Sequence, residues 1–150
     1  MRRALCTAAV AFALIASAQP AYAQSDLSPS PDRVLETSPA GCKGYTDYPH
    51  KSGNDASVHG RTNCNYSVSS VSVTTTLKRD RWYGLQTLAS DPSSRTNSSR
   101  SYDATPHWYC YGTGTYTYKA YSSHTSVENG RTYYASTWNW QDPGVSRFNC

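Results

Sequence analysis

Polar and apolar positions alternate most cleanly over residues 71–78. Val71, Val73, Thr75 and Leu77 take one phase, and Ser72, Thr74, Thr76 and Lys78 take the other. A period of two predicts a strand with one face buried. Tyr66 and Val68 lie out of phase with that set, so a bulge or break is expected near Ser69-Ser70. A longer pattern runs from Cys110 to Trp140, where two runs of Tyr, Thr, Ser and Trp flank Asn129-Gly130. Asn-Gly suits a two-residue type I′ turn, because both central positions need positive φ. With these residues at the turn, Glu128 faces Arg131, Ser126 faces Tyr133, and His124 faces Ala135. Ser122 then faces Thr137, and Ala120 faces Asn139.

Side chains alternate across a strand, so this register divides the hairpin into two faces. One carries Tyr116, Tyr118, Ala120, Ser122, His124, Tyr133, Ala135 and Thr137. The other carries Lys119, Tyr121, Ser123, Val127, Tyr134, Ser136, Trp138 and Trp140. Both faces are aromatic, and alternation alone does not say which is inside. Small residues leave room for a second sheet, which places the Ala120/Ala135 face inward. A core rarely carries an unpartnered lysine in its middle, which places the Lys119 face outward.

The remaining segments read as short strands and turns. Val58 to Cys64 predicts a first strand. Arg81 to Leu88 predicts another, joined to its predecessor by a turn near Arg79-Asp80. Asp91 to Ser101 reads as a polar loop. Tyr102 to Tyr111 returns to strand, with Pro106 marking an edge or a late start. Gln141 to Gly144 is a turn, and Val145 to Cys150 a tail pinned by its terminal cysteine. No stretch holds a helical period. The pattern predicts an all-β fold: a small antiparallel β-sandwich, or a small barrel, of about six to seven strands. Cys64, Trp82 and Cys110 follow the immunoglobulin-like order. Tyr109 adjoins Cys110 instead of lying two residues before it, so the architecture is kept and the family is not.

Composition changes the picture in two ways. Residues 1–23 read as a signal peptide: Arg2-Arg3, an apolar run from Ala8 to Ala16, then Ala21-Tyr22-Ala23. That run is too short for a stable membrane anchor, and no later run could span a bilayer. Residues 24–40 read as a flexible Ser/Pro-rich leader, and residues 41–150 as a single domain. Processing leaves Cys42, Cys64, Cys110 and Cys150, an even number that reads as two disulfides in an exported chain. Three connectivities are open; the shortest non-crossing one joins Cys42 to Cys64 and Cys110 to Cys150. Zinc is disfavoured, because no pair has C-x-x-C spacing. Secondly, aliphatic residues are scarce while tyrosine and tryptophan are abundant, thirteen and four in the whole chain. The core is therefore expected to be small and built of rings, with the disulfides supplementing it.

Asp47-Tyr48-Pro49-His50-Lys51-Ser52, Asp80-Arg81-Trp82-Tyr83-Gly84 and Gly112-Thr113-Gly114-Thr115-Tyr116-Thr117-Tyr118 resemble small exported actinobacterial proteins. The resemblance covers nearly all of Cys42 to Cys150. It implies export and a cell-surface or extracellular setting, and transfers no catalytic residue.

Candidate chemistry is sparse. The formal charge of +4 falls by two when Arg2 and Arg3 are removed, and Lys78-Arg79-Asp80-Arg81 carries its own acid. A broad basic face is therefore not expected, nor is nucleic acid as a partner. No G-x-S-x-G, H-E-x-x-H or phosphate-binding glycine loop occurs. Asp47, His50, Asp55 and His59 are the best metal-like grouping, but their spacing matches no ligand motif and no metal or other cofactor is assigned. His50, Lys51, His59, Arg61 and His124 are the acid–base and phosphate-binding candidates of a small nuclease. The aromatic strip Lys119, Tyr121, Tyr134, Trp138 and Trp140 is the candidate ligand surface; its rings suit stacking on sugars. The sequence reading is thus a monomeric, secreted or cell-surface β-sandwich acting as a binding or structural module, with a glycan or an extracellular protein as partner. A small exported hydrolase is the alternative. An enzyme inhibitor presenting Asp80 to Tyr83 is the second.

Overall fold

The computed structural model describes residues 30–35 and 37–150. The segment read as a signal peptide, and residues 24–29 of the leader, lie outside the described residues. The described chain is all-β: β1 Asp32–Val34, β2 Lys43–Thr46, β3 His50–Ser52, β4 Asp55–Ser57, β5 Gly60–Arg81, β6 Gly84–Arg100, β7 His107–Tyr109, β8 Thr115–Glu128, β9 Arg131–Asn139 and β10 Arg147–Asn149. The ten strands exceed the expected six to seven because half of them are three residues long. Segments that short carry no readable alternation. No helix is present among the described residues, and so none that could cross a membrane.

Every strand pairing is antiparallel. β5 organises the larger sheet. One edge pairs with β6; the other pairs with β2 near its start and with β8 further along. β8 in turn pairs with β9 and β10, and β2 with β1. Ser30 bridges Trp138 through two backbone hydrogen bonds, tying the N-terminal segment to the free edge of β9. The smaller sheet, β3–β4–β7, packs Ala56 and Trp108 with Leu77, Tyr118 and Ala120 of the larger one.

The hairpin β8–β9 has the register read from Asn129-Gly130, from Glu128 opposite Arg131 to Ala120 opposite Asn139. Both turn residues have positive φ, 49° and 77°, as a type I′ turn requires. Tyr118, Ala120, Ser122, His124 and Thr137 are buried, so the small-residue face is inward as expected. Along β5 the buried phase changes between Val68 and Val71, and the β5–β6 register is irregular between Asn63 and Val68. Disulfides join Cys42 to Cys64 and Cys110 to Cys150.

Three expectations are corrected. The predicted polar loop from Asp91 to Ser101 lies largely in β6, paired with β5. β6 is an edge strand rich in Ser, Thr and Arg, and contains Pro92; these residues suit an exposed edge and leave no apolar alternation to read. The turn predicted at Arg79-Asp80 lies at Trp82-Tyr83, because Arg81 pairs with Gly84. The flexible leader is structured from Ser30: β1 pairs with β2, and Leu35 and Ala40 are buried against Val68 and Val71. The packed domain therefore begins before residue 41.

The interior has two apolar ends and a polar middle. One end gathers Leu77, Tyr118 and Ala120, and the other Leu35, Ala40 and Val71. Between them lie buried Thr46, Thr62, Thr75, Ser122, His124, Ser126 and Thr137. Gly44 lets β2 approach this region, since a Cβ there would collide with the His124 ring.

Candidate functional site

Opposite this interior, β9, β8, β5 and β6 present a continuous outer face. Register sets its rows: Trp138–Tyr121–Thr76–Ser90, Ser136–Ser123–Thr74–Pro92, and Tyr134–Thr125–Ser72–Ser94. Every position except Trp138 and Pro92 carries a hydroxyl, and none carries a charge. The hydroxyls are partly linked to one another. Ser72 and Thr125 lie 2.7 Å apart, Thr76 and Ser90 3.1 Å, and Tyr121 Oη lies 3.1 Å from Ser136 Oγ. Such links fix side-chain directions before any ligand arrives.

The five residues selected from sequence share this side of the sheet. Tyr121 and Trp138 are direct cross-strand partners with ring centroids 4.8 Å apart. Trp140 lies beyond the end of β9, beneath Lys119 Nζ at 4.7 Å from its ring centre. Tyr134 stands two residues along β9 from Ser136 and is 64% exposed. Lys119 is already engaged by neighbours. It is paired with Asp80 at 3.2 Å as well as capping Trp140, so it is not a free cation at the end of the strip. Its neighbour across the ladder is Lys78, and Asp80 offsets that like-charge pair.

The acid–base candidates are scattered. His124 is 1% exposed, with Nδ1 3.0 Å from Thr62 Oγ1 and Nε2 2.8 Å from Thr137 Oγ1. Burial pushes its pKa down from 6.5 to about 4, so it is a neutral core residue and leaves the nuclease set. His50 stacks on His59 at 5.3 Å. Arg61 is engaged by Asp47 at 3.0 Å and Lys51 by the Asn149 carbonyl at 3.1 Å. Of the metal-like grouping, Asp47 therefore pairs with Arg61, and Asp55 lies 3.9 Å from His107. No group of three or more His, Cys, Asp or Glu able to hold a metal occurs among the described residues.

Two further features stand out, the first within the Asp80–Tyr83 loop of the inhibitor reading and the second missed by the sequence reading. The β5–β6 turn carries Trp82 at 94% exposure beside Tyr83, edge to face at 5.3 Å. Below it, Arg79 is buried between the rings of Trp108 and Tyr116, at 4.7 and 4.6 Å, and donates to Gln86 Oε1. Arg81 continues the stack, donating to Tyr116 Oη at 2.8 Å and lying over Tyr83. The arginine stack left no sequence signal, because Trp108 and Tyr116 meet Arg79 only in the fold. Comparison with protein-family models, curated proteins and solved structures finds no match.

Proposed function

We propose that the chain is an exported binding module that holds a neutral glycan on the outer face of β9–β8–β5–β6. The observation that carries this is the uncharged hydroxyl grid with the Tyr121–Trp138 ring pair at its end. A sugar presents an apolar C–H face and a rim of hydroxyls. Aromatic rings stack on the first, and fixed Ser and Thr hydroxyls exchange hydrogen bonds with the second. A charged surface would spend binding energy on desolvation that a neutral ligand does not repay. The residues assigned to contact are Tyr121, Tyr134, Trp138 and Trp140, with Lys119 holding Trp140 in place. Two disulfides and the segment 1–23 support an extracellular or cell-surface setting.

Retention of the purified protein on insoluble peptidoglycan, chitin and cellulose tests this directly. Wild-type protein is expected to be retained on at least one of them, and Tyr134→Ala to elute early. Free passage through all three sinks the reading. One observation favours a second reading, capture of a protein: Trp82 at the tip of a two-residue turn is shaped to enter a partner's cleft. Zymography on RNA, DNA and glycans separates both from the hydrolase alternative, whose remaining support is the His50–His59 stack.

A further inference from the structure

Where the N-terminal segment meets β2 and the end of β9, the surface opens into a cavity of about 420 Å³. Its walls include Asp32, Tyr45, Asp47, Tyr48 and Asn139. The volume lies within the range of small-ligand sites. Asn139 is 3% exposed, and its Nδ2 donates to the Thr46 carbonyl at 2.8 Å. Its Oδ1 is buried and has no protein donor. Asn139 thus closes the cavity floor as a fixed wall, its amide held by β2.

The other walls restrict what that ligand is. Arg61 pairs with both oxygens of Asp47, at 3.2 and 3.0 Å, and lies over the Tyr45 ring at 5.5 Å. One cation thus offsets the charge of Asp47 and steadies a ring at the same time. The wall sets two carboxylates, Asp32 and Asp47, against the one guanidinium of Arg61, a balance that disfavours anions. Tyr45 and Tyr48 supply ring faces, and the carboxylates of Asp32 and Asp47 supply acceptors. A compact ligand with apolar C–H faces and several hydroxyl donors fits all of these.

We infer that this cavity is a second binding site, for a single neutral sugar unit. It rests on the glycan reading above for the class of ligand, but uses a different surface. Trp138 belongs to the outer face, and Asn139, next on β9, points to the opposite side.

The test is a titration of the ¹⁵N-labelled, signal-free protein with glucose, N-acetylglucosamine and glucuronate, followed by two-dimensional NMR. Glucose or N-acetylglucosamine should shift the Asn139 side-chain amide and the Asp47 and Tyr48 backbone amides saturably. Glucuronate should bind more weakly. Tyr48 is 45% exposed, so Tyr48→Ala should keep its dispersed spectrum and lose about tenfold in affinity. Absence of saturable shifts at Asn139 overturns the site. So does tighter binding of glucuronate, or unchanged affinity in Tyr48→Ala. Shifts confined to the Trp138 and Trp140 indoles overturn the cavity and leave the outer face standing. Shifts at Asn139 in a protein that no polysaccharide retains support the cavity, and the outer-face reading fails alone.

Discussion

Glu128 accepts the backbone N–H of Ala40 on its Oε2 at 2.8 Å, across a sequence separation of 88. Ser38 and Ser126 hydroxyls donate to the other oxygen, each at 2.6 Å. The residue beside the hairpin turn is therefore the clamp for the N-terminal segment. Removing it should leave the Ala40 N–H and two hydroxyls without their acceptor. Glu128→Ala is expected to cost about 2–4 kcal/mol in chemical denaturation. Amide exchange at residues 30–40 should rise before the rest of the domain opens. Unchanged stability with unchanged exchange would remove the clamp.

Acid should weaken the fold in two stages. The pKa of His124 is 6.5 when unfolded and is lowered by burial to about 4 when folded. Between these values the unfolded chain binds the proton and the folded one does not. Stability is thus full above about pH 6.5 and falls by roughly 3 kcal/mol as pH drops to about 4. For Glu128, burial alone would raise the carboxyl, but hydrogen bonds from Ser126, Ser38 and the Ala40 N–H hold it below its usual value. Its contribution is present above the unfolded glutamate value and is lost as pH falls through the lower, folded one. Melting temperatures measured across this range check both. His124→Gln should flatten the first stage, and an equally steep slope in that variant assigns it elsewhere.

Two glycines should fail for different reasons. Gly130 has open space but φ of 77°, so Gly130→Val introduces strain at a β-branched residue. Gly44 has no room for a Cβ, so Gly44→Ala must displace the His124 ring. The expected cost is above about 1 kcal/mol for each. Only Gly44→Ala should also raise the His124 pKa measured by NMR, because it opens the core around that ring.

The Cys110–Cys150 bridge ties the residue after β10, a strand paired with β8, to the residue after β7. Cys150→Ser is expected to cost about 2–5 kcal/mol and to free the C-terminus to carboxypeptidase. Intact mass before and after reduction should differ by four hydrogens, two for each bridge. A free thiol in the unreduced protein contradicts the pairing.

Exposed rings separate stability from binding. Trp82→Ala should change stability by less than about 0.5 kcal/mol, since the side chain is 94% exposed. Polysaccharide retention should also survive it, whereas Trp138→Ala should lose retention at a cost of about 1–2 kcal/mol. Loss of retention in Trp82→Ala alone would move the binding surface to the turn.

Alternation and the Asn129-Gly130 turn determined the β8–β9 register, the two faces of the hairpin and the phase of β5 beyond Val71, because these depend on neighbours near in sequence. The even cysteine count likewise implied two bridges, although three pairings were open until the fold brought Cys42 to Cys64 and Cys110 to Cys150. Alternation put Ser122, His124 and Thr137 on the inward side, but only the tertiary structure supplied the partners that let them form the middle of the core. A polar side chain is buried at low cost only when a partner meets it, and the partners of His124 come from Thr62 on β5 and Thr137 on β9. The same reason hid the structured residues before Gly41. Ser38 and Ala40 read as linker because Glu128, which holds them, lies at the far end of the chain. β6 read as a loop because an edge strand needs no apolar face, and its order comes from the ladder with β5.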